Sequence, residues 1–243
     1  MRDGLTDYLR HAETTMHVYD GALPALREDF VRSGADRVVD LCSGAGGPWV
    51  PLLASWDKLG GAPEEVRLSD FKPSEASWHS ASIASSGRIR AYPGPVDARA
   101  VPKELAGFRT LFAAFHHFRP DEAEAILRDA VERRQGIAIL EPTERSARAV
   151  ALACLSWLFV MLLSPGIRPR SLRRLALTYL VPLIPALVTF DGVVSCLRTY
   201  TRDELGEMAR RAGGGSYDWR IGQAPYPGFP IPVTYLIGTP RPI

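Results

Sequence analysis

The stretch Arg37–Gly47, R-V-V-D-L-C-S-G-A-G-G, constrains the fold of this 243-residue chain more than any other segment. A short β-branched run ends at Asp40, and three glycines follow within seven positions. Pro48 then stands where proline is favoured, at the start of a helix. Glycine lets the backbone turn tightly and lets a ligand come close to it. The pattern therefore predicts a strand, a glycine turn and a helix, which together form the first βα unit of a nucleotide-binding type of sheet.

Strands and helices alternate after this turn, as they do in a parallel sheet that is covered by helices on both faces. The predicted strands are Arg37–Cys42, Glu65–Asp70, Ile89–Tyr92, Arg109–His116 and Gly136–Glu141, closed by the pair Tyr217–Ala224 and Val233–Thr239. The predicted helices are Trp49–Trp56, Pro73–Ser85, Pro120–Arg134 and a helix that begins with a capping box at Thr201 and Glu204 and ends at Gly213–Gly215. The predicted fold class is therefore α/β, with a doubly wound, mostly parallel sheet of seven strands.

The segment from Asp40 to Gly46 resembles motif I of the class I S-adenosylmethionine (SAM)-dependent methyltransferases, which is commonly D-x-G-x-G-x-G; Cys42 replaces the first glycine. The number and order of the predicted elements also resemble the seven-stranded, Rossmann-like sheet of that family. A dinucleotide site would instead need a small residue at position 49, where this chain has Trp49. The resemblance implies SAM as the cofactor and S-adenosylhomocysteine as the product. It places Asp40, Cys42, Gly44 and Gly46 in the cofactor loop.

Carboxylates near the ends of the next strands agree with this resemblance, because open α/β sheets bind ligands beyond the carboxyl ends of their strands. By analogy with the family, Asp70, with Phe71 beside it, is expected to accept hydrogen bonds from both ribose hydroxyls. Asp97 is expected to accept from the adenine amino group, while the N–H of Ala98 serves a ring nitrogen. Phe115 completes the predicted cofactor contacts. The alternatives are a helix N-cap for the first aspartate and a solvated loop for the second.

The sequence F-H-H-F at the end of the predicted fourth strand resembles a stretch found in many small-molecule methyltransferases. Alternation along a strand would send His116 and His117 to opposite faces of the sheet. Either imidazole could take a proton from a hydroxyl or nitrogen acceptor, and Glu141 is the third acid–base candidate. The alternatives are a hydrogen-bonded structural histidine and an ion pair between Glu141 and Arg145.

Four further side chains are candidates for contacts with the methyl acceptor. Tyr19 precedes the first strand, where family members often fold a segment over the cofactor. Trp49 opens the helix after the glycine turn, and it could face the sulfonium or the substrate or simply pack the helix on the sheet. Arg198 and Tyr200 bring the chain back to the sheet, and Arg198 could hold a carboxylate or pair with Asp203.

An apolar insertion, Thr143–Tyr200, precedes the last helix. Two apolar runs, Ala149–Leu163 and Leu175–Phe190, are joined by the basic loop Ile167–Arg174. Each run is shorter than the roughly 18 residues that a spanning helix needs, and two prolines interrupt the second, so no transmembrane pair is expected. The insertion is predicted to be a helical lid over an apolar substrate pocket. A homodimer interface and a monotopic membrane patch are the alternatives.

Composition fits a single domain over residues 1–243. Lys and Arg number 29 against 27 Asp and Glu, a balance that does not indicate a nucleic-acid partner. The three cysteines lack metal-ligand spacing, so no metal site is expected, and their odd number fits a reducing cytoplasm. The polar N-terminus has no apolar signal core, so a cytoplasmic location is expected.

The sequence thus predicts a SAM-dependent methyltransferase that methylates an oxygen, either a carboxylate or a hydroxyl, of a small and partly apolar molecule. The arginines in and after the insertion favour a carboxylate acceptor, which needs orientation but no base. An N-methyltransferase or a membrane-associated lipid methyltransferase is the alternative of the same fold. A nicotinamide-dependent oxidoreductase and a non-catalytic SAM-binding protein are less favoured.

Overall fold

The computed structural model describes residues 17–166, 171–226 and 228–242. The strands are β1 Arg37–Asp40, β2 Glu65–Leu68, β3 Ile89–Ala91, β4 Phe108–Phe112, β5 Ile137–Glu141, β6 Tyr217–Tyr226 and β7 Phe229–Pro240. The helices are α1 Leu23–Ser33, α2 Trp49–Leu59, α3 Glu75–Ala84, α4 Pro120–Glu132, α5 Ala147–Leu163, α6 Leu172–Leu175, α7 Leu183–Arg198 and α8 Arg202–Gly213.

The seven strands form one sheet in the order β3-β2-β1-β4-β5-β7-β6. All neighbouring pairs from β3 to β5 are parallel, whereas β7 runs antiparallel to both β5 and β6. The order reverses at β1, whose Val38 lies beside Val66 of β2 and Phe108 of β4. The predicted doubly wound, mostly parallel sheet is confirmed. Its switch point lies at the carboxyl end of β1, where such sheets bind ligands.

Side-chain alternation divides the core between the two faces of the sheet. Val38 and Leu140 belong to the cluster under α1, α2 and α3, whereas Val39 and Ile139 belong to the cluster under α4 and α8. Every residue of β4 and β5 is buried, as expected for central strands that are covered on both faces. Helices on both faces therefore hold the strand ends, and the loops that follow them, in fixed positions.

The predicted strand ends need correction at three places. β1 ends at Asp40, because Cys42 has a positive φ of 59°. β2 ends at Leu68, two residues before the predicted boundary. β4 ends at Phe112, because Ala113 has a φ of 48°, and a 3-10 turn covers Phe115–His117. The two histidines therefore do not alternate along a strand, and the prediction that they face opposite sides of the sheet is wrong.

The insertion is a helical hairpin in which α5 packs against α7. α6 continues as a π-helical turn, Ala176–Leu180, and the segment then bends by 74° at Pro182 into α7. Helical structure extends over 20 residues from Ala147 to Gly166, and its most apolar 18-residue stretch has a mean hydropathy of 2.0. Among the described residues this is the one helix long and apolar enough to cross a membrane by itself, and the bent pair would make a second such span. The helix is therefore longer than the apolar run Ala149–Leu163, and the length argument against a spanning helix does not hold for it.

Candidate functional site

A glycine-rich loop follows β1 and turns into α2. Four of its residues have positive φ angles: Cys42 at 59°, Gly44 at 51°, Gly46 at 115° and Gly47 at 58°. Such angles strain a residue that has a Cβ, so Cys42 occupies a position where glycine would be unstrained. A Cβ added at Gly44 would meet nothing within 4 Å. The loop therefore presents an open backbone surface at the switch point of the sheet.

Neighbouring elements hold this loop in place. The N–H of Ser43 donates to the carbonyl of Ser69 at 3.0 Å, and the indole N–H of Trp78 in α3 donates to the carbonyl of Gly44 at 3.0 Å. The N–H of Gly44 donates to Oδ2 of Asp70 at 2.8 Å, while Oδ1 of the same carboxylate accepts from the N–H of Lys72 at 2.7 Å. These bonds tie the ends of β1 and β2 together and fix the carboxylate of Asp70.

Three carboxylates surround the thiol of Cys42. Burial raises the pKa of this thiol to about 12, and the negative charges of Asp70, Asp40 and Asp97 add to the shift. Asp70 and Asp97 are partly exposed at the carboxyl ends of β2 and β3. The Arg99 guanidinium lowers the pKa of Asp97 through a hydrogen bond, so this side chain is a carboxylate over the whole physiological range. The strand ends thus present several hydrogen-bond acceptors around one crevice.

Asp40 lies beneath the loop and is almost fully buried. Its Oδ1 accepts from Oγ1 of Thr110 in β4 at 2.7 Å. Burial raises the pKa of Asp40 to about 6, against opposing contributions from Ser43, Thr110 and Trp49. A Cβ added at Gly47 would come within 3.1 Å of Oδ2, so this glycine leaves room for the carboxylate. The charge of Asp40 is costly to bury in the absence of a cationic ligand.

The raised pKa of Asp40 predicts a pH-dependent cost in stability. The folded-state pKa of about 6 lies above the unfolded value of 3.8, so protonation favours the folded state. The cost is absent below pH 4, grows between pH 4 and 6, and is complete above pH 6. We compare the free energy of unfolding of Asp40→Asn with that of the wild type at each pH. We expect this difference to favour the variant by about 2–3 kcal/mol more at pH 8 than at pH 4. Urea unfolding of both proteins at the two pH values tests this, and an equal effect at both would contradict it.

A buried acid–base pair lies at the ends of β4 and β5. Nδ1 of His116 lies 2.7 Å from Oε2 of Glu141, and both side chains are about 4% exposed. Oε1 of Glu141 accepts from the N–H of Phe115 at 2.7 Å. Because a carboxylate only accepts, Nδ1 carries the proton and Nε2 is left as the basic nitrogen. Nε2 is buried and has no hydrogen-bond partner in the part of the chain that the structure describes.

The alternative pairing of Glu141 with Arg145 is wrong. The residues after β5 do not form a helix, so the i, i+4 spacing does not bring these side chains together. Arg145 instead donates to the carbonyl of Thr199 and to Glu204, both at 3.0 Å. These contacts tie the start of the hairpin to its end and leave Glu141 to His116.

Residues at the C-terminal end of α7 and just after it are hydrogen-bonded to the 3-10 turn Phe115–His117 and to Phe118, which together are called the histidine turn. Arg198 donates to the carbonyl of His117 at 2.7 Å, and the hydroxyl of Tyr200 donates to the carbonyl of Phe118 at 2.7 Å. The ring of His117 lies 4.3 Å from that of His116, and partial burial, followed by the proximity of the His116 imidazole, lowers the pKa of His117. Arg198 is exposed, so its remaining N–H groups face solvent rather than Asp203. The hairpin and the histidine turn thus form one assembly.

The other predicted site residues are distributed between the crevice and the core. Tyr19 and Trp49 are fully buried and pack edge-on against Phe112 at the end of β4, with ring centroids 4.7 and 5.6 Å away. Phe71 is 64% exposed beside the crevice. Ala98 is buried, and Phe115 is buried with its ring 5.6 Å from that of Tyr200. Within residues 17–166, 171–226 and 228–242, no cluster of three His, Cys, Asp or Glu side chains could hold a metal.

Comparison with solved structures identifies the fold. The methyltransferase domain of bacterial CtHen1 superimposes with a TM-score of 0.54 at 15% identity, covering 91% of this chain and 99% of that one. The O-methyltransferase NcsB1 from neocarzinostatin biosynthesis gives 0.55 at 18% identity, covering 97% of this chain and 57% of that one. The fold is that of the class I methyltransferases. The pyocyanin biosynthetic protein PhzM gives 0.53 at 14% identity, covering 93% of this chain and 55% of that one.

No family model matches this sequence, and no curated protein matches it. The chain spans about half the length of NcsB1 and PhzM and nearly all of the CtHen1 domain. In this sheet the glycine loop and the carboxylates of Asp70 and Asp97 therefore lie around the switch point at the end of β1. The His116–Glu141 pair lies at the ends of the adjacent strands β4 and β5.

Two residues of the site escaped sequence reasoning. Trp78 holds the loop through Gly44, but a tryptophan at an apolar helix position ordinarily indicates core packing. Thr110 caps the buried carboxylate of Asp40 from the neighbouring strand, and no local pattern marks a threonine within a buried strand as a partner of a residue 70 positions away. A hydroxyl residue in a fully buried strand was the available signal, since buried hydroxyls need a partner.

Proposed function

We propose that this protein is a SAM-dependent methyltransferase that transfers a methyl group to an oxygen of a small, partly apolar molecule. One juxtaposition supports this proposal most directly. An open glycine loop and two acceptor carboxylates lie at the ends of β1, β2 and β3, and the buried His116–Glu141 pair lies at the ends of the adjacent β4 and β5. A nucleoside site and a proton acceptor therefore share one edge of the sheet.

The crevice fits a nucleoside without phosphate groups better than a nucleotide. Asp70 already accepts two backbone N–H groups, and each carboxylate oxygen keeps a second lone pair for a ribose hydroxyl. Asp97 would accept from the adenine amino group, and the exposed ring of Phe71 could cover the face of the base. Phosphates would be repelled by these carboxylates. SAM meets these requirements and supplies an electrophilic methyl group on a sulfonium.

The buried carboxylate of Asp40 suits a cationic ligand in the same place. Its raised pKa reflects a charge without a buried counter-charge, and a nearby cation would favour the ionised form. SAM carries positive charge on its sulfonium and its ammonium group. NcsB1 has been solved with SAM and, separately, with S-adenosylhomocysteine, which supports the same cofactor here.

The His116–Glu141 pair supports one kind of methyl acceptor over another. Glu141 fixes the tautomer of His116, so that Nε2 can accept a proton from an acceptor hydroxyl. Leaving this nitrogen unpaired costs about 1–3 kcal/mol, which a bound hydroxyl would recover. The sequence favoured a carboxylate, whereas this geometry favours a hydroxyl. NcsB1 was solved with hydroxylated naphthoic acids, which combine an apolar ring with both groups.

A thermal-shift panel of SAM, S-adenosylhomocysteine, NAD and NADP tests the proposed cofactor. A ligand present at about 100 times its Kd stabilises the native state by about 2.7 kcal/mol, which for a domain of this size raises Tm by about 5–10 °C. We expect this shift with SAM and S-adenosylhomocysteine and none with NAD or NADP. Stabilisation by a nicotinamide cofactor alone would favour an oxidoreductase. Binding of SAM without release of S-adenosylhomocysteine across an acceptor panel would favour a non-catalytic protein.

A further inference from the structure

The hairpin formed by α5, α6 and α7 carries most of the exposed large hydrophobic side chains among the residues that the structure describes. Among the described residues, eleven of the fifteen exposed large hydrophobic side chains lie on it. They are Leu155, Leu158, Phe159, Leu162, Leu163, Leu172, Tyr179, Leu180, Val181, Phe190 and Leu197. Exposed apolar surface concentrated on one element marks an interaction site, because water does not favour such a surface.

The exposed side chains of α5 form a continuous stripe. Leu155, Leu158, Phe159 and Leu162 recur at helical spacing on one face, while Val160 packs on the other face against Ile184 of α7. Only 17% of the 18-residue apolar stretch within Ala147–Gly166 is buried inside the protein. A 20-residue helix is about 30 Å long, which matches the hydrocarbon thickness of a bilayer. The dimensions of α5 therefore suit an apolar solvent.

The charge of the hairpin distinguishes between possible partners. Six arginines and one aspartate, Asp191, lie between Ser146 and Thr201, so this segment carries a formal charge of +5 in a chain whose total is +2. Two copies that docked through this segment would bring like charges together. An anionic lipid surface would instead be attracted, since arginine binds phosphate groups well and its apolar stem can lie along lipid.

We propose that this hairpin inserts into a phospholipid bilayer that contains anionic lipids and so holds the catalytic domain at the membrane. Its apolar stripe provides the insertion energy, and its exposed arginines, among them Arg148 and Arg173, contact the headgroups. Neither the sheet nor α8 contributes to this surface. A lid would turn the apolar stripe toward the sheet domain and bury it there. The side chains of the stripe are instead exposed, as a membrane-inserted hairpin requires.

Insertion would also bring the site close to the bilayer. The hairpin starts six residues after Glu141 and ends at Arg198, which contacts the histidine turn. If the proposed methyl transfer is correct, the acceptor would be an amphiphile that reaches the crevice from the lipid phase. The membrane attachment itself does not depend on methyl transfer, so the two can fail separately.

Vesicle flotation with the full chain tests the attachment. We expect the protein to rise through a density gradient with vesicles of phosphatidylcholine and phosphatidylglycerol, and to remain bound in 1 M NaCl. The triple variant Leu158→Asp, Leu162→Asp, Leu180→Asp should lower the floated fraction at least tenfold. These side chains are exposed, so the fold should survive, which the thermal shift caused by SAM and the circular dichroism spectrum would check.

A matched control places the same charge on exposed apolar residues outside the hairpin. The triple variant Val31→Asp, Leu59→Asp, Ile83→Asp should float like the wild type. Wild-type protein that stays at the bottom of the gradient would overturn the proposal, and light scattering would then identify a dimer or a monomer. Binding that 1 M NaCl abolishes would overturn insertion in favour of surface adsorption, because salt screens charge pairs but not apolar burial.

Discussion

Asp70→Ala should weaken SAM binding by about 2–4 kcal/mol, or about 30- to 1,000-fold in Kd. The substitution would remove two hydrogen bonds that the carboxylate accepts from the ribose hydroxyls. Such charge-assisted hydrogen bonds are stronger than neutral ones. The substitution would also free the N–H groups of Gly44 and Lys72, both of which donate to this carboxylate. Part of the loss would therefore come from a less ordered loop. Isothermal titration calorimetry with SAM measures the total.

Asp57→Ala is the matched control for this variant. Asp57 is a partly exposed carboxylate on α2 that pairs with Arg88, and it lies outside the crevice. Its removal should leave the affinity for SAM unchanged. Asp70→Asn should fall between the wild type and Asp70→Ala, because an amide oxygen still accepts one hydrogen bond. Unchanged affinity in a well-folded Asp70→Ala protein would refute the placement of the ribose at the end of β2.

The sequence predicted the sheet well because its elements carry local signals. Buried parallel strands are mostly apolar, and the amphipathic helices between them repeat at helical spacing. The capping box at Thr201 and Glu204 fixed the start of α8, and the structure has both of its hydrogen bonds. The helix α1 was missed, although its Leu23, Leu26 and Phe30 show the same spacing.

The ends of strands were harder to predict, and they decide the site. β4 stops because Ala113 adopts a left-handed conformation, for which alanine gives no signal. The apolar run that begins in β4 continues to Phe115, so sequence reasoning extended the strand and separated the two histidines. The contact between His116 and Glu141 also joins residues 25 positions apart on neighbouring strands. Only the order of strands in the sheet brings them together.

The hairpin shows a different kind of limit. Its apolar runs were visible in the sequence, but their exposure was not, because a buried lid and a membrane-inserted hairpin have the same composition. The first run also continues past Leu163 as a 3-10 turn at Ser164–Gly166, which brings the helix to spanning length. Burial by tertiary packing separates these possibilities, and the sequence does not report it.

His116→Ala should lower kcat by about 10²–10⁴ for a hydroxyl acceptor while the affinity for SAM changes little. A hydroxyl with a pKa well above 7 must lose its proton near the transition state. Nε2 of His116 is the basic nitrogen that Glu141 orients for this step. The release of S-adenosylhomocysteine, followed over a panel of phenolic and carboxylic amphiphiles, measures the loss once an acceptor is found.

His117→Ala is the matched control, since it removes the neighbouring imidazole, whose ring lies 4.3 Å away and outside the pairing with Glu141. We expect it to cost less than tenfold in kcat. Glu141→Gln should have an intermediate effect, because an amide can still contact Nδ1 but no longer fixes the tautomer or supports the positive charge that forms on the ring. The pH profile should shift with Glu141→Gln, which a purely structural role would not produce.

A carboxylate acceptor would reverse this pattern of effects. It has no proton to lose, so His116→Ala would then retain kcat within about tenfold. Arg198→Ala would instead raise KM, because it removes a charge-assisted contact that the exposed guanidinium is free to make. Arg198 already donates to the carbonyl of His117, so its loss should also loosen the histidine turn and lower kcat modestly with either acceptor. A large rise in KM for Arg198→Ala, together with a preserved kcat for His116→Ala, would therefore exclude the hydroxyl mechanism. A large loss of kcat in His116→Ala and Glu141→Gln, with at most a modest loss in Arg198→Ala, would establish it.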